Sequence, residues 1–312
     1  MHIAVVGVGN VGRSTAFRIL TTGLPEELTL VDTKPGLAHA IAEEFKHAAA
    51  GMGLSAEINW YEKDEELSGV DIVVITAGFP RPQDVRISRR ELMRQNAGII
   101  KELAEILPPR NPSAKYVVVT NPVDANAMLF RKLSRAPFVI GTGNHLETLR
   151  FRAKLAEVLG IPRKYVSGYV GGEHGEEATI LWSTASVLGK PLSEYLKGRE
   201  APFRAEDVEA YIKEVPELVI DYSGATRFGP AEAFTEIIKS IALDENRVFS
   251  VATPVKLEGF KEETYVNVPT VIGMEIRDRM LHWLSPDELR RIKRAAEAIR
   301  KTYENALEML GL

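Results

Sequence analysis

The first 32 residues restrict this chain more than any other stretch. Ile3-Ala4-Val5-Val6 is a short apolar run that reads as a buried strand. It breaks into Gly7-Val8-Gly9-Asn10-Val11-Gly12, and Ser14 to Leu20 resumes at helical spacing. Glycine has a physical reason at each of its three positions: Gly7 for the tight turn, Gly9 so that a pyrophosphate can approach the backbone, Gly12 so that the helix can pack close to its strand. The N–H groups of Val8, Asn10 and Val11 belong to the same turn, and a helix N-terminus there favours phosphate. The next strand, Leu28-Thr29-Leu30-Val31-Asp32, ends in an acid 20 positions after Gly12, where a dinucleotide fold places the carboxylate that grips a ribose diol. Asp32 also has a plainer reading as the N-cap of a helix begun at Pro35. Three matches in one βαβ unit favour the dinucleotide. The carboxylate disfavours a 2′-phosphate, so NAD is expected, and the nearby Lys34 leaves NADP open.

With 312 residues there is enough chain for two domains with ample core. The net charge of −4 gives no reason to expect nucleic acid as a partner. Apolar runs fall short of the roughly 18 residues of a membrane span, and the N-terminus enters a strand without a signal-peptide layout. With no cysteine there is no disulfide, thiolate catalysis or Cys-bound metal, which fits a cytoplasmic enzyme, and together with many Arg, Glu and Pro residues it hints at a thermophile.

Strand and helix patterns alternate through the first half: strands at Val70–Thr76, Tyr116–Thr120 and Pro137–Ile140, and an amphipathic helix from Arg89 to Leu107 closed by Pro108-Pro109. This is the pattern of a doubly wound parallel Rossmann sheet. From Asn144 onward a helix, short strands, an antiparallel pair (Val248–Val255 with Thr264–Val271) and a final helix from Pro286 to Leu310, capped by Ser285 and Glu288, read as an α+β substrate domain. The expected division is residues 1–143 for the dinucleotide and 144–312 for substrate and catalysis.

His174, flanked by Gly171-Gly172 and Gly175, is sterically open and suited to exchange a proton with a secondary alcohol. His145, at a strand end and a helix start, competes for that role; His2, His39, His47 and His282 read as structural or solvated. His39, Glu43 and His47 lie at i, i+4 and i+8, too far apart for a shared metal, and no metal is expected. Glu147 and Arg150 share a helix face, either as a surface ion pair or as an imidazole partner and a carboxylate clamp facing one cleft.

Six segments taken in order, Gly7-x-Gly9-x-x-Gly12, Thr76-Ala77-Gly78-x-Pro80-Arg81, Ser88-Arg89-x-x-Leu92, Thr120-Asn121-Pro122-Val123-Asp124, Leu146-Glu147-Thr148-x-Arg150-Phe151-Arg152 and Gly172-Glu173-His174-Gly175, resemble the lactate/malate dehydrogenase family over nearly the whole chain. The resemblance implies His174 as acid/base with Glu147 as its carboxylate partner, and Arg150 on the substrate carboxylate. It implies Asn121 on the substrate oxygen, Arg89 polarising the carbonyl from a loop, and Thr226 in the substrate pocket. Asn96, Val119 and Asn121 would touch the cofactor. The chain departs from the family pattern in having Glu147 and Glu176 where Asp is usual. It also has two extra residues between Arg81 and Arg89, which makes Arg86 a rival to Arg89.

Arg81 stands where the family separates dicarboxylate from monocarboxylate substrates. A buried arginine facing the methyl group of pyruvate would cost roughly 2–5 kcal/mol, whereas the second carboxylate of oxaloacetate would pair with it. The expectation is reversible hydride transfer at C2 of malate/oxaloacetate, with L-lactate as the alternative substrate. A homotetramer is expected in preference to a dimer. Two other classes are weighed, an NAD-dependent glycosidase that needs a metal and a non-catalytic NAD-binding sensor.

Overall fold

A computed structural model of the chain describes residues 1–79, 89–198 and 204–312, with the side chains of Arg89 and Arg90 outside that description. The N-terminal half runs β1 (His2–Val6), α1 (Asn10–Leu20), β2 (Glu27–Val31), α2 (Leu37–Met52), β3 (Glu57–Tyr61), β4 (Ile72–Ile75), α3 (Arg89–Arg110), β5 (Lys115–Val118), α4 (Val123–Ser134) and β6 (Val139–Gly141). The C-terminal half begins with α5 (His145–Leu159), β7 (Val166–Gly172), β8 (Ala178–Val187), β9 (Lys190–Pro191), α6 (Leu192–Tyr195), α7 (Ala205–Ser223) and α8 (Phe228–Ala242). It ends with β10 (Arg247–Val255), β11 (Thr264–Ile272), β12 (Ile276–Arg279) and α9 (Pro286–Met309).

The first six strands are parallel in the order β3-β2-β1-β4-β5-β6, the doubly wound arrangement. Their apolar runs are continuous because both faces are covered. Ile3, Val5, Ile72, Val74 and Val117 point into one core, and Ala4, Val6, Val73, Ile75 and Val118 into the other. Each fully buried Ile or Val contributes about 1.5–3 kcal/mol relative to exposure.

The C-terminal strands are antiparallel and continue the same sheet, joined through Ala252 of β10 and Gly141 of β6. Helices cross that join. The α8 stripe Ala233, Phe234, Ile237, Ile238 and Ile241 packs into the core of β1 and α1. On α9, Ile292, Ala295, Ala296 and Ile299 cover the antiparallel strands, while Tyr303 and Ala306 reach the opposite core of the parallel sheet. Ser285 caps α9 in a reciprocal box with Glu288, whose carboxylate also accepts from the Ser183 N–H and hydroxyl of β8.

Several boundaries differ from the sequence reading. The first helix begins at Asn10 rather than Ser14, because the glycine turn itself leads into the helix. The second begins at Leu37, behind a left-handed Gly36, so Asp32 is not its cap. The third runs on to Arg110 and holds Pro108 and Pro109 within its last turn. The pattern reading had not anticipated α7 or α8.

Candidate functional site

The turn between β1 and α1 is as crowded as its glycines require. Gly7 has φ +91°, and a Cβ there would lie 2.4 Å from the Ala77 nitrogen. A Cβ on Gly12 would lie 1.9 Å from the Gly7 carbonyl oxygen, whereas one on Gly9 would meet nothing within 4 Å. The turn is thus closed toward the sheet and open where a pyrophosphate would approach. Helix α1 has no side-chain cap and no acid in its first turn, so its N-terminal face stays favourable to phosphate. Asp32 follows β2 and accepts from the Val8 N–H at 2.8 Å and the Lys34 N–H at 2.9 Å, which holds the carboxylate beside the glycine turn. These residues fit a dinucleotide at this edge of the sheet.

A cleft with a cavity volume of about 220 Å³ opens beyond the C-terminal ends of the parallel strands, where a doubly wound fold binds ligands. Val11, Asn96, Val119, Asn121, His174 and Thr226 line it. Five elements or connections therefore bring together residues far apart in sequence. Asn96 is 2 % exposed and ties two strand-end loops together, accepting from the Phe79 N–H and donating to the Asn121 carbonyl, each at 2.7 Å.

Behind the cleft lies a relay of three hydrogen-bonded side chains. His174 follows β7, its side chain 25 % exposed, with Nδ1 3.2 Å from Oε2 of Glu147 on α5. The other oxygen of Glu147 accepts from Arg150 Nη1 at 2.9 Å. Glu147 thus joins imidazole to guanidinium and backs the imidazole, instead of lining the cleft itself. Burial alone would push the imidazole pKa down, but the Glu147 charge and hydrogen bond, with the Asp124 charge, lift it above the ordinary histidine value. Burial would likewise raise Glu147, yet His174 and Arg150 hold it below the usual carboxylate range.

His145 begins α5 as expected but is 1 % exposed, its Nε2 2.7 Å from Glu236 and its ring edge against Phe249. Burial pushes its pKa down against the Glu236 carboxylate, and it sits in the core, away from the cleft lining. His39 stacks on Trp60 with ring centroids 4.4 Å apart. Among the described residues no group of three metal-ligating side chains is brought together. Also among the described residues, no helix is long and apolar enough to cross a membrane. Arg81 and Arg86, and the side chain of Arg89, lie outside the described residues.

Two residues that the sequence reading left without a role stand against the relay. Asp124 is buried and accepts from the His174 main-chain N–H at 2.7 Å. Asn267 of β11 donates to the other Asp124 oxygen at 2.9 Å. Asp124 was visible in the Thr120–Asp124 segment, whereas nothing local distinguishes Asn267.

The chain is similar to known proteins over nearly its whole length. Residues 1–138 match the family model described as lactate/malate dehydrogenase, NAD binding domain, and residues 144–310 match its alpha/beta C-terminal domain. A malate dehydrogenase of Sulfurisphaera tokodaii is 43% identical over 88% of this chain and 86% of its own length. A malate dehydrogenase of Sulfolobus acidocaldarius is 39% identical over 99% of this chain and 98% of its own. The crystal structure of a lactate dehydrogenase from a Medee basin deep-sea metagenome superposes with a TM-score of 0.88 at 26% identity, covering 98% of each chain. With both halves matched in order on a doubly wound sheet whose first turn fits the NAD cofactor, this chain belongs to the lactate/malate dehydrogenase family.

Proposed function

We propose that this oxidoreductase is a malate dehydrogenase, interconverting malate and oxaloacetate with NAD. The observation that carries the chemistry is His174, which faces the strand-end cleft with Nδ1 bound by a buried carboxylate. The choice of malate over lactate rests on the two relatives named malate dehydrogenase at 43% and 39% identity and on the arginine at position 81.

When bound, the nicotinamide cofactor supplies or takes up the hydride at the substrate C2. Glu147 holds the proton on His174 Nδ1, so that Nε2 is the atom that gives a proton to the carbonyl oxygen during reduction and takes it from the hydroxyl during oxidation. Glu147 raises the imidazole pKa and so favours the imidazolium, the form from which His174 gives its proton in the reduction. Arg150, steadied by Glu147, has further N–H groups with which to hold the C1 carboxylate. Asn121 and Thr226 orient the substrate from the cleft wall, Arg81 pairs with its second carboxylate, and Arg89, ahead of Arg86, polarises the carbonyl. The Gly7–Gly12 turn and Asp32 would hold the pyrophosphate and adenine ribose, and Asn96, Val119 and Asn121 would touch the cofactor from the cleft wall. The Asp32 charge favours NAD over NADP. Residues 1–143 serve the cofactor and 144–312 the substrate, in a cytoplasmic homotetramer working at the malate step of the tricarboxylic acid cycle.

The test is His174→Asn. NADH titration should give near-wild-type affinity while turnover of oxaloacetate falls by about 10²–10⁴-fold, the usual contribution of a general acid/base. Turnover comparable to wild type would remove His174 from the proton-transfer role.

A further inference from the structure

Asp124 lies in the first turn of α4, where a carboxylate is favoured by the helix dipole, and is 3 % exposed. Its two oxygens face donors from two different elements. Oδ2 accepts from the His174 main-chain N–H at 2.7 Å, and Oδ1 accepts from Asn267 Nδ2 at 2.9 Å. Asn267 is itself pinned. The same Nδ2 donates to the Gly172 carbonyl at 2.8 Å, and its Oδ1 accepts from the Asn144 N–H at 3.3 Å. Its fit is so close that a Cβ on Gly143 would stand 1.5 Å from that oxygen. One carboxylate and one amide therefore lock together the start of α4, the strand β11, the end of β7 and the residue before α5.

We propose that Asp124 is a positioning residue for proton transfer: it fixes His174 through its main chain and supplies a second buried negative charge behind the imidazole. The proposal rests on the reading of His174 as the acid/base. An amide would occupy the same space and its oxygen could still accept the His174 N–H, but its NH2 would then face Asn267 Nδ2, so only a carboxylate accepts from both donors. The charge acts on the imidazole. The groups that face His174 are Glu147 and Arg150 from α5 and Asp124 from α4, with Glu173 adjacent in the chain. Glu147 and Asp124 favour the imidazolium, and Arg150 opposes it. Burial pushes the Asp124 carboxyl up to about 6, and the His174 charge, its N–H and Asn267 restrain it from rising further. The His174 charge and the two donors thus favour the ionised form of Asp124 against burial.

The experiment compares wild type with Asp124→Asn in the pH dependence of kcat/KM for oxaloacetate at saturating NADH. The expected result is a basic limb displaced to lower pH, with NADH affinity within about twofold of wild type. On the basic side of the limb, each pH unit of displacement lowers the rate by about tenfold. An unmoved limb overturns the proposal. If Asp124→Asn does not fold, Asp124→Ser removes the charge and keeps a hydroxyl that can still accept a hydrogen bond. The limb should move the same way, and an unmoved limb again overturns the proposal. Failure of the underlying reading is separate, since it would show as undiminished turnover in His174→Asn with the wild-type profile intact.

Discussion

At the scale of single residues, the decisive arrangement is one carboxylate shared by two cations. Glu147 accepts from both His174 and Arg150, and its charge is what favours the protonated form of the half-buried imidazole. The sign of its effect follows. A histidine whose pKa is raised stays protonated to higher pH, so oxaloacetate reduction should persist to higher pH than an ordinary imidazole would allow, and malate oxidation should begin only above the same limb. Glu147→Gln removes the charge and keeps the size, so stopped-flow or steady-state pH profiles should show both limbs displaced to lower pH. Coincident profiles would mean that Glu147 does not act on His174. Glu147, Arg150 and His174 were all legible in the sequence, because the i, i+3 spacing and the glycine-flanked histidine are local signals. Asn267 was not legible, because its partners Asp124, Asn144 and Gly172 are 95 to 143 residues away. The burial of His145 was equally hidden: its place at the start of α5 says nothing of Phe249 or Glu236, which arrive from β10 and α8.

At the scale of elements, the β1–α1 turn sets the cofactor end and tolerates little change. A methyl group on Gly12 would enter the Gly7 carbonyl, at 1.9 Å, so either the strand or the helix must move. Overpacking of this kind typically costs about 1–3 kcal/mol, and here the displacement falls on the phosphate-binding backbone. Gly12→Ala should therefore weaken NADH binding by about five- to 150-fold in a fluorescence titration; wild-type affinity would show that the close approach is not needed. Elements with strong local signals were read nearly to the residue. The antiparallel pair expected at Val248–Val255 and Thr264–Val271 is found at Arg247–Val255 and Thr264–Ile272, because β-branched residues fill both strands. The final helix was equally clear from its capping box. Helices α7 and α8 were missed for a physical reason. Pro216, a residue that argues against a helix interior, lies within α7, which buries only Val208 and Ile212, and α8 opens on Phe228-Gly229-Pro230, a turn-like sequence that a helix tolerates only in its first turn.

At the scale of the whole molecule, the two halves share one sheet and exchange helices. The join between β6 and β10, the packing of α8 on α1 and the reach of α9 across to the parallel core hold the cofactor end and the relay in fixed relation. Hydride transfer needs such a scaffold, since small misplacements of reacting groups are costly. The alternation of strands and helices made the parallel half legible as a fold. Continuity of the sheet across Gly141 and Ala252 was not, because it depends on a pairing more than 100 residues apart. The central claim is that this scaffold turns over a dicarboxylate with NADH. Initial rates of NADH oxidation with oxaloacetate and with pyruvate, repeated with NADPH, test it most directly. The expected result is a kcat/KM for oxaloacetate about 30-fold or more above that for pyruvate, from the cost of burying an arginine against a methyl group, and faster turnover with NADH than with NADPH. Preference for pyruvate would contradict the malate assignment, and no turnover of either acid would contradict the proposed chemistry.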